Sequence, residues 1–221
     1  MNRAAGILLV TLLALLLILP LAACQSGSPE ADTAAQQSET SHDARYFAAE
    51  YDAVTRVIGE ELAENCQQSG AVPAMQKCFR VKLVQAFATP AEGQRACAPL
   101  MAIDPYVECI SMGSLAADMR SKIPPSNRPE MQSADWRKPQ PFLKKLVKGF
   151  AIGVINVCVD RKTETRSCIR QEMPRQLEIV QPLRQRCEKL SDDGDYSECI
   201  GEAMGLQFFH RAAVRLSMRD A

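Results

Sequence analysis

The sequence predicts an all-α protein: two tandem four-helix units, each with four cysteines, behind an apolar leader and a polar tether. Three observations predict it. Apolar residues recur at steps of three and four, and no convincing alternating strand is found. Eight of the nine cysteines fall into two sets of four with nearly the same spacing. The second, third and fourth members of the sets lie 90 residues apart, and Tyr106-Val-Glu-Cys-Ile110 aligns with Tyr196-Ser-Glu-Cys-Ile200. An internal repeat of this kind takes precedence over any other reading of the fold.

Residues 1–23 carry one charge, Arg3, followed by an apolar run from Ile7 to Leu19. A basic start, a short apolar core and small residues before a break form an export signal. An uncleaved membrane helix is the competing reading, but Gly6 to Ala23 is only 18 residues and Pro20 interrupts it, at the short edge of a span. The run ends in Leu21-Ala22-Ala23-Cys24, which resembles the lipobox of bacterial lipoproteins. The resemblance covers about the first 25 residues. It implies cleavage before Cys24, a lipid on that cysteine, and a stable membrane anchor, because several acyl chains hold where one does not. Gln25 stands where the sorting pattern of enteric bacteria would place Asp for retention, so the resemblance implies the outer membrane, facing the periplasm.

Residues 24–44 form the anchor and tether. Gln25 to Ala44 has four acidic residues, no Lys or Arg, and no aromatic, Val, Ile or Leu, so it cannot bury a core. As a flexible coil of this length it spans roughly 25 Å. His42 falls here and reads as solvated polar filler.

The first unit, residues 45–123, opens with the stripe Phe47, Tyr51, Val54, Ile58, Leu62, one face of a helix. Ser69-Gly70 ends it and Pro73 suits the first turn of the next helix, which carries Met75, Phe79, Leu83 and Phe87. Thr89-Pro90-Ala91-Glu92 fits a capping box, and Asp104-Pro105 a second cap that opens a helix over about 105–122. Residues 124–141 hold five prolines and the only Trp, Trp136. That density resists helix and favours extended chain, with Trp136 either sealing the joint or meeting a partner. The second unit, residues 142–221, opens on Leu143, Leu146, Phe150, Val154 and Val157, is punctuated by Pro174 and Pro182, and closes with a helix over about 194–219.

The cysteines are Cys66, Cys78, Cys97 and Cys109, then Cys158, Cys168, Cys187 and Cys199. Export and an even count point to disulfides. The second set lacks two residues between its first and second cysteines. Inside a helix that deletion would turn everything downstream by about 200°, yet the later spacing is intact. A turn therefore separates the two cysteines, and the local pairing 66–78, 97–109, 158–168, 187–199 is preferred. The nested pairing remains open, and it resembles the mitochondrial coiled-coil-helix proteins, whose nine-residue gaps are mostly eleven here.

No catalytic residue and no cofactor is expected. Cys-x-x-Cys is missing, and gaps of 9 to 18 do not suit zinc. His210 has no Gly-x-Ser-x-Gly partner. The methionines, Met112, Met119 and Met204 among them, read as core filler rather than copper ligands. An overall charge of zero argues against nucleic acid. Split by unit, residues 45–123 carry 8 basic and 9 acidic side chains, and residues 124–221 carry 17 and 13. Arg211, Arg215 and Arg219, four apart, form a candidate partner face together with Trp136, and Lys144, Lys145 and Lys148 add to the basic half. An anionic envelope component or an acidic protein is the expected partner. The functional expectation is a non-catalytic, membrane-tethered envelope lipoprotein that binds or scaffolds a partner. The alternative is a periplasmic, hydrolase-like enzyme, with Glu108 and Glu198 at equivalent positions.

Overall fold

The computed structural model describes residues 46–162 and 164–218, and all regular structure among them is helical. Nine α-helices are described: α1 (Ala48–Gln67), α2 (Val72–Ala86), α3 (Ala91–Cys97), α4 (Ile103–Lys122), α5 (Ser133–Arg137), α6 (Pro139–Asp160), α7 (Thr165–Gln176), α8 (Gln181–Cys187) and α9 (Asp193–Ser217). None of them is long and apolar enough to cross a membrane. The leader, Cys24 and the tether lie outside the described residues, as does Arg219.

Each expected apolar stripe lies on the inward side of its helix. Val54, Ile58 and Leu62 of α1 and Leu146, Phe150 and Val154 of α6 are buried. Local chemistry shifts several helix starts. Thr89 does not cap α3. The N-cap is Pro90, and the buried Thr89 hydroxyl instead receives a hydrogen bond from Ser114 of α4 at 3.0 Å. Helix α4 begins at Ile103 rather than at 105, so Asp104 sits in the first turn, where its charge still complements the helix dipole. Helix α9 does have a side-chain cap: Asp192 accepts from the Gly194 and Asp195 amides.

All four disulfides are local: Cys66–Cys78, Cys97–Cys109, Cys158–Cys168 and Cys187–Cys199. Each joins two helices across the turn between them. The two-residue difference is absorbed at the start of the second helix, since α2 has 15 residues and α7 has 12. Positions 90 residues apart often take the same local form. Two residues past the ends of α2 and α7 stand residues with positive φ, Ala88 at 47° and Glu178 at 55°. In both, the following amide reaches back five residues: Thr89 to Val84 and Ile179 to Pro174, the Schellman arrangement. Glycine adopts this backbone at no steric cost, whereas other residues are strained there. Exposed Ala88→Gly is therefore expected to raise stability by about 1 kcal/mol, read as an upward shift in urea midpoint with unchanged slope. A lowered midpoint would contradict that account.

The two halves do not pack as separate beads. The most extensive helix–helix contact is α1 with α9, followed by α4 with α6. The first helix of each half thus lies on the last helix of the other. Tyr51 of α1 donates to the Glu202 carbonyl of α9 at 2.8 Å, and a Cβ at Gly205 would lie 2.1 Å from the Tyr51 hydroxyl oxygen. Phe87 of the first half stacks with Phe208 and Phe209 of the second, with ring centroids 5.8 and 5.3 Å apart. One apolar cluster runs through both halves, and among the described residues the buried core extends from Phe47 to Leu216. Segments of about 80 residues bury little core alone, and interlocking their first and last helices gives both halves one larger core.

The Pro-rich joint is shorter and more ordered than expected. It contains a 3-10 turn (Pro125–Asn127) and α5, and α6 begins inside it at Pro139. Pro125, Pro139 and Pro141 occupy first-turn positions, where a missing amide hydrogen costs nothing, while Pro129 lies in irregular chain. Arg120 donates to the Pro129 carbonyl and Arg128 to those of Ser121 and Ile123, which pins the joint to the end of α4.

Candidate functional site

Two arginines of the predicted partner face make contacts within the fold. Arg211 pairs with Asp118 of α4 at 3.2 Å. The half-buried Arg215 donates to the Ala86 carbonyl at the end of α2 at 2.9 Å. Both guanidinium groups therefore join α9 to the first half. Spacing of four places them on one face, and there both side chains reach the first half while Arg211 stays 39% exposed along its side chain. Trp136 is 1% exposed, so it seals the joint and is not available to a partner in this fold. Its ring lies between Gly93 of α3 and Gly113 of α4, where added Cβ atoms would stand 2.4 and 2.5 Å from it.

Glu108 and Glu198 occupy different surroundings. Glu108 is half-buried, and burial raises its carboxyl above the usual range, while Glu198 is exposed. His210 is exposed. The most buried carboxylate is Glu172 of α7. It is held by hydrogen bonds from Arg175 and from Arg161 at the end of α6, which keep it below its ordinary value against the cost of burial. This cluster ties α6 to α7.

The candidate site is an open groove in the first half, where the end of α1, the first half of α2 and the start of α4 meet. Its volume is about 390 Å³. Buried Leu62 and Tyr106, with half-buried Met75 and Phe79, supply apolar lining. Val72, Met101 and Ile103 also line it and are 61%, 84% and 48% exposed, so large apolar side chains face water at its mouth. Cys66 lines it too, and the Cys66–Cys78 bridge fixes α1 to α2 at its wall. A second exposed apolar row on α6, Ile152, Ile155 and Val159, faces solvent with no cavity described beside it.

At the groove lies a latch that recurs 90 residues on. Arg80 of α2 sits 4.1 Å from the Tyr106 ring centroid, donates to the Leu100 and Met101 carbonyls, and accepts from the Tyr106 hydroxyl through its own carbonyl at 3.4 Å. Arg170 of α7 sits 4.7 Å from the Tyr196 ring, donates to Leu190 and Ser191, and its carbonyl accepts from the Tyr196 hydroxyl at 2.7 Å. Burial raises both tyrosine hydroxyls above their ordinary value. Sequence reasoning found the tyrosines and missed the arginines, although each stands two residues after the second cysteine of its set.

The two latches differ in what their arginines meet. In the second half Asp193, the first residue of α9, accepts from Arg170 Nε at 2.9 Å and Arg166 Nε at 3.0 Å. Burial works against that carboxylate, but the arginine hydrogen bonds hold it below its ordinary value. In the first half the corresponding first residue of α4 is Ile103. Among the described residues Arg80 has no carboxylate partner. No protein-family model, curated protein or solved structure matches the chain.

Proposed function

We propose that the chain is a non-catalytic envelope lipoprotein, a helical binding module anchored through Cys24 and facing the periplasm from the outer membrane. The observation that carries the binding role is the open apolar groove on a disulfide-framed scaffold. Ligand sites are characteristically concave, mostly apolar and largely pre-formed, with a few placed polar groups. The Leu21-Ala22-Ala23-Cys24 sequence supports the anchor, and four disulfides suit an oxidising compartment. A tether spanning roughly 25 Å leaves room for the body to meet ligands away from the bilayer.

The anchor is tested by intact-mass measurement and acyl labelling in a bacterial host. The expected product begins at Cys24 and carries acyl chains, and Cys24→Ser takes up no label. Undiminished labelling of Cys24→Ser would remove the lipoprotein reading.

A further inference from the structure

We propose that the groove of the first half binds a single-chain amphiphile with a carboxylate head, the chemistry of a fatty acid. This deepens the binding-module reading and rests on the groove being its site, but it does not depend on the lipid at Cys24. The argument comes from comparing the two halves position by position.

In the second half the equivalent arginine finds its carboxylate within the chain. Asp193 supplies a carboxylate, and Arg166 and Arg170 grip it. Ser191 and Thr165 stand at the positions of Met101 and Met75, 90 residues earlier. In the first half each of these is apolar, and the carboxylate position is Ile103. The guanidinium has remained as Arg80, on the same tyrosine stack and the same backbone carbonyls. The result is an apolar trough of about 390 Å³ with Arg80 at its wall, beside no carboxylate among the described residues.

Such a site lacks two things: apolar volume and one negative charge. A fatty carboxylate carries both in one molecule. Its chain would cover Leu62, Met75 and Phe79 together with the exposed Val72, Ile103 and Met101, and each methylene removed from water contributes about 0.8 kcal/mol. Its head would take the place beside Arg80 that Asp193 takes beside Arg170. Charge-assisted hydrogen bonds between guanidinium and carboxylate are stronger than neutral ones and favour this head over a neutral one. A cationic head would be repelled.

The test titrates dodecanoate into the chain from Gln25 onward, exported behind a cleavable leader so that it carries no lipid. This chain keeps every described core residue, the first of which is Phe47. Binding is followed by calorimetry below the micelle concentration, with dodecyltrimethylammonium as the opposite-charge control. Saturable one-to-one binding of dodecanoate is expected, weakening as salt is added, with no saturable binding of the cation.

The decisive variant is Ile103→Asp, which restores to the first half the carboxylate found in the second. A new Asp in the first turn of α4 also favours the helix, so the melting temperature should hold or rise. Affinity for dodecanoate should fall at least about tenfold, equivalent to about 1.4 kcal/mol. Met101→Ser, at a side chain 84% exposed, is a second variant that cannot disturb the core and should weaken binding while leaving stability unchanged.

Absence of saturable dodecanoate binding would overturn the proposal. So would equal affinity in Ile103→Asp, or equal binding of the cation. A dimer in sedimentation that Ile103→Asp dissolves would also overturn it, by showing that a second copy covers the groove. Failure here with acylation of Cys24 intact removes the ligand and leaves the anchored protein; loss of acylation with dodecanoate binding intact does the reverse.

Discussion

Full reduction is expected to unfold this protein in ordinary buffer, without denaturant. Each bridge closes a loop of 10 or 12 residues in sequence separation. On the chain-entropy account a loop of that size contributes about 3 kcal/mol. The four together come to about 12 kcal/mol, comparable to the whole net stability of a typical domain, about 5–15 kcal/mol. The bridges should not yield together. Cys78 is half-buried, whereas the other seven are buried, so mild reductant is expected to open Cys66–Cys78 first. Attack on a disulfide depends on access to its sulfurs. Because that bridge frames the groove, the singly reduced form should retain its far-ultraviolet circular dichroism and lose ligand affinity. The measurement is alkylation during graded reduction, mapped by mass spectrometry alongside circular dichroism. Retention of the full helical signal after all eight thiols are alkylated would refute the claim that the bridges sustain the fold.

Trp136→Ala is expected to cost about 3–5 kcal/mol, the range for removing a large buried aromatic. For a chain of this size each kcal/mol shifts the melting temperature by about 2–4 °C, so a drop on the order of 10 °C is expected. The cost arises where α3, α4, α5 and α6 come together, because α5 packs on the other three. Gly113→Ala approaches the same ring from the other side. Its Cβ would lie 2.5 Å from the ring, closer than real atoms allow, and α4 or the indole must shift. Overpacking of this kind costs about 1–3 kcal/mol. The two changes should be strongly non-additive, because the added methyl fits once the indole is gone. Thermal melts of the two single variants and the double variant form the required cycle. Simple additivity, or a Trp136→Ala shift below about 2 °C, would show that the indole does not hold the joint.

Much of the architecture is legible from short-range pattern. The stripe from Phe47 to Leu62 and its counterpart from Leu146 to Val154 declare helices and their buried faces, because a helix repeats every 3.6 residues whatever surrounds it. The disulfide pairing is legible for a similar reason: a two-residue difference between Cys158 and Cys168 is tolerable only across a turn, and the local bridges lie there. The five prolines of the joint were misleading. Their spacing allows them to start a 3-10 turn and α6 as readily as to keep the chain extended.

What tertiary structure decided is which face meets which. Periodicity marks α1 and α9 as amphipathic but does not say that α1 lies on α9 of the opposite half, because that choice depends on shape complementarity such as Tyr51 over Gly205. The same crossing brings Arg211 and Arg215 within reach of Asp118 and the Ala86 carbonyl. It also leaves Val72, Met101 and Ile103 uncovered. Composition told that the two halves differ in charge. Only the fold showed that two equivalent arginines differ in their surroundings, one paired with Asp193 and one facing an apolar groove, because charges distant in sequence acquire partners only through packing.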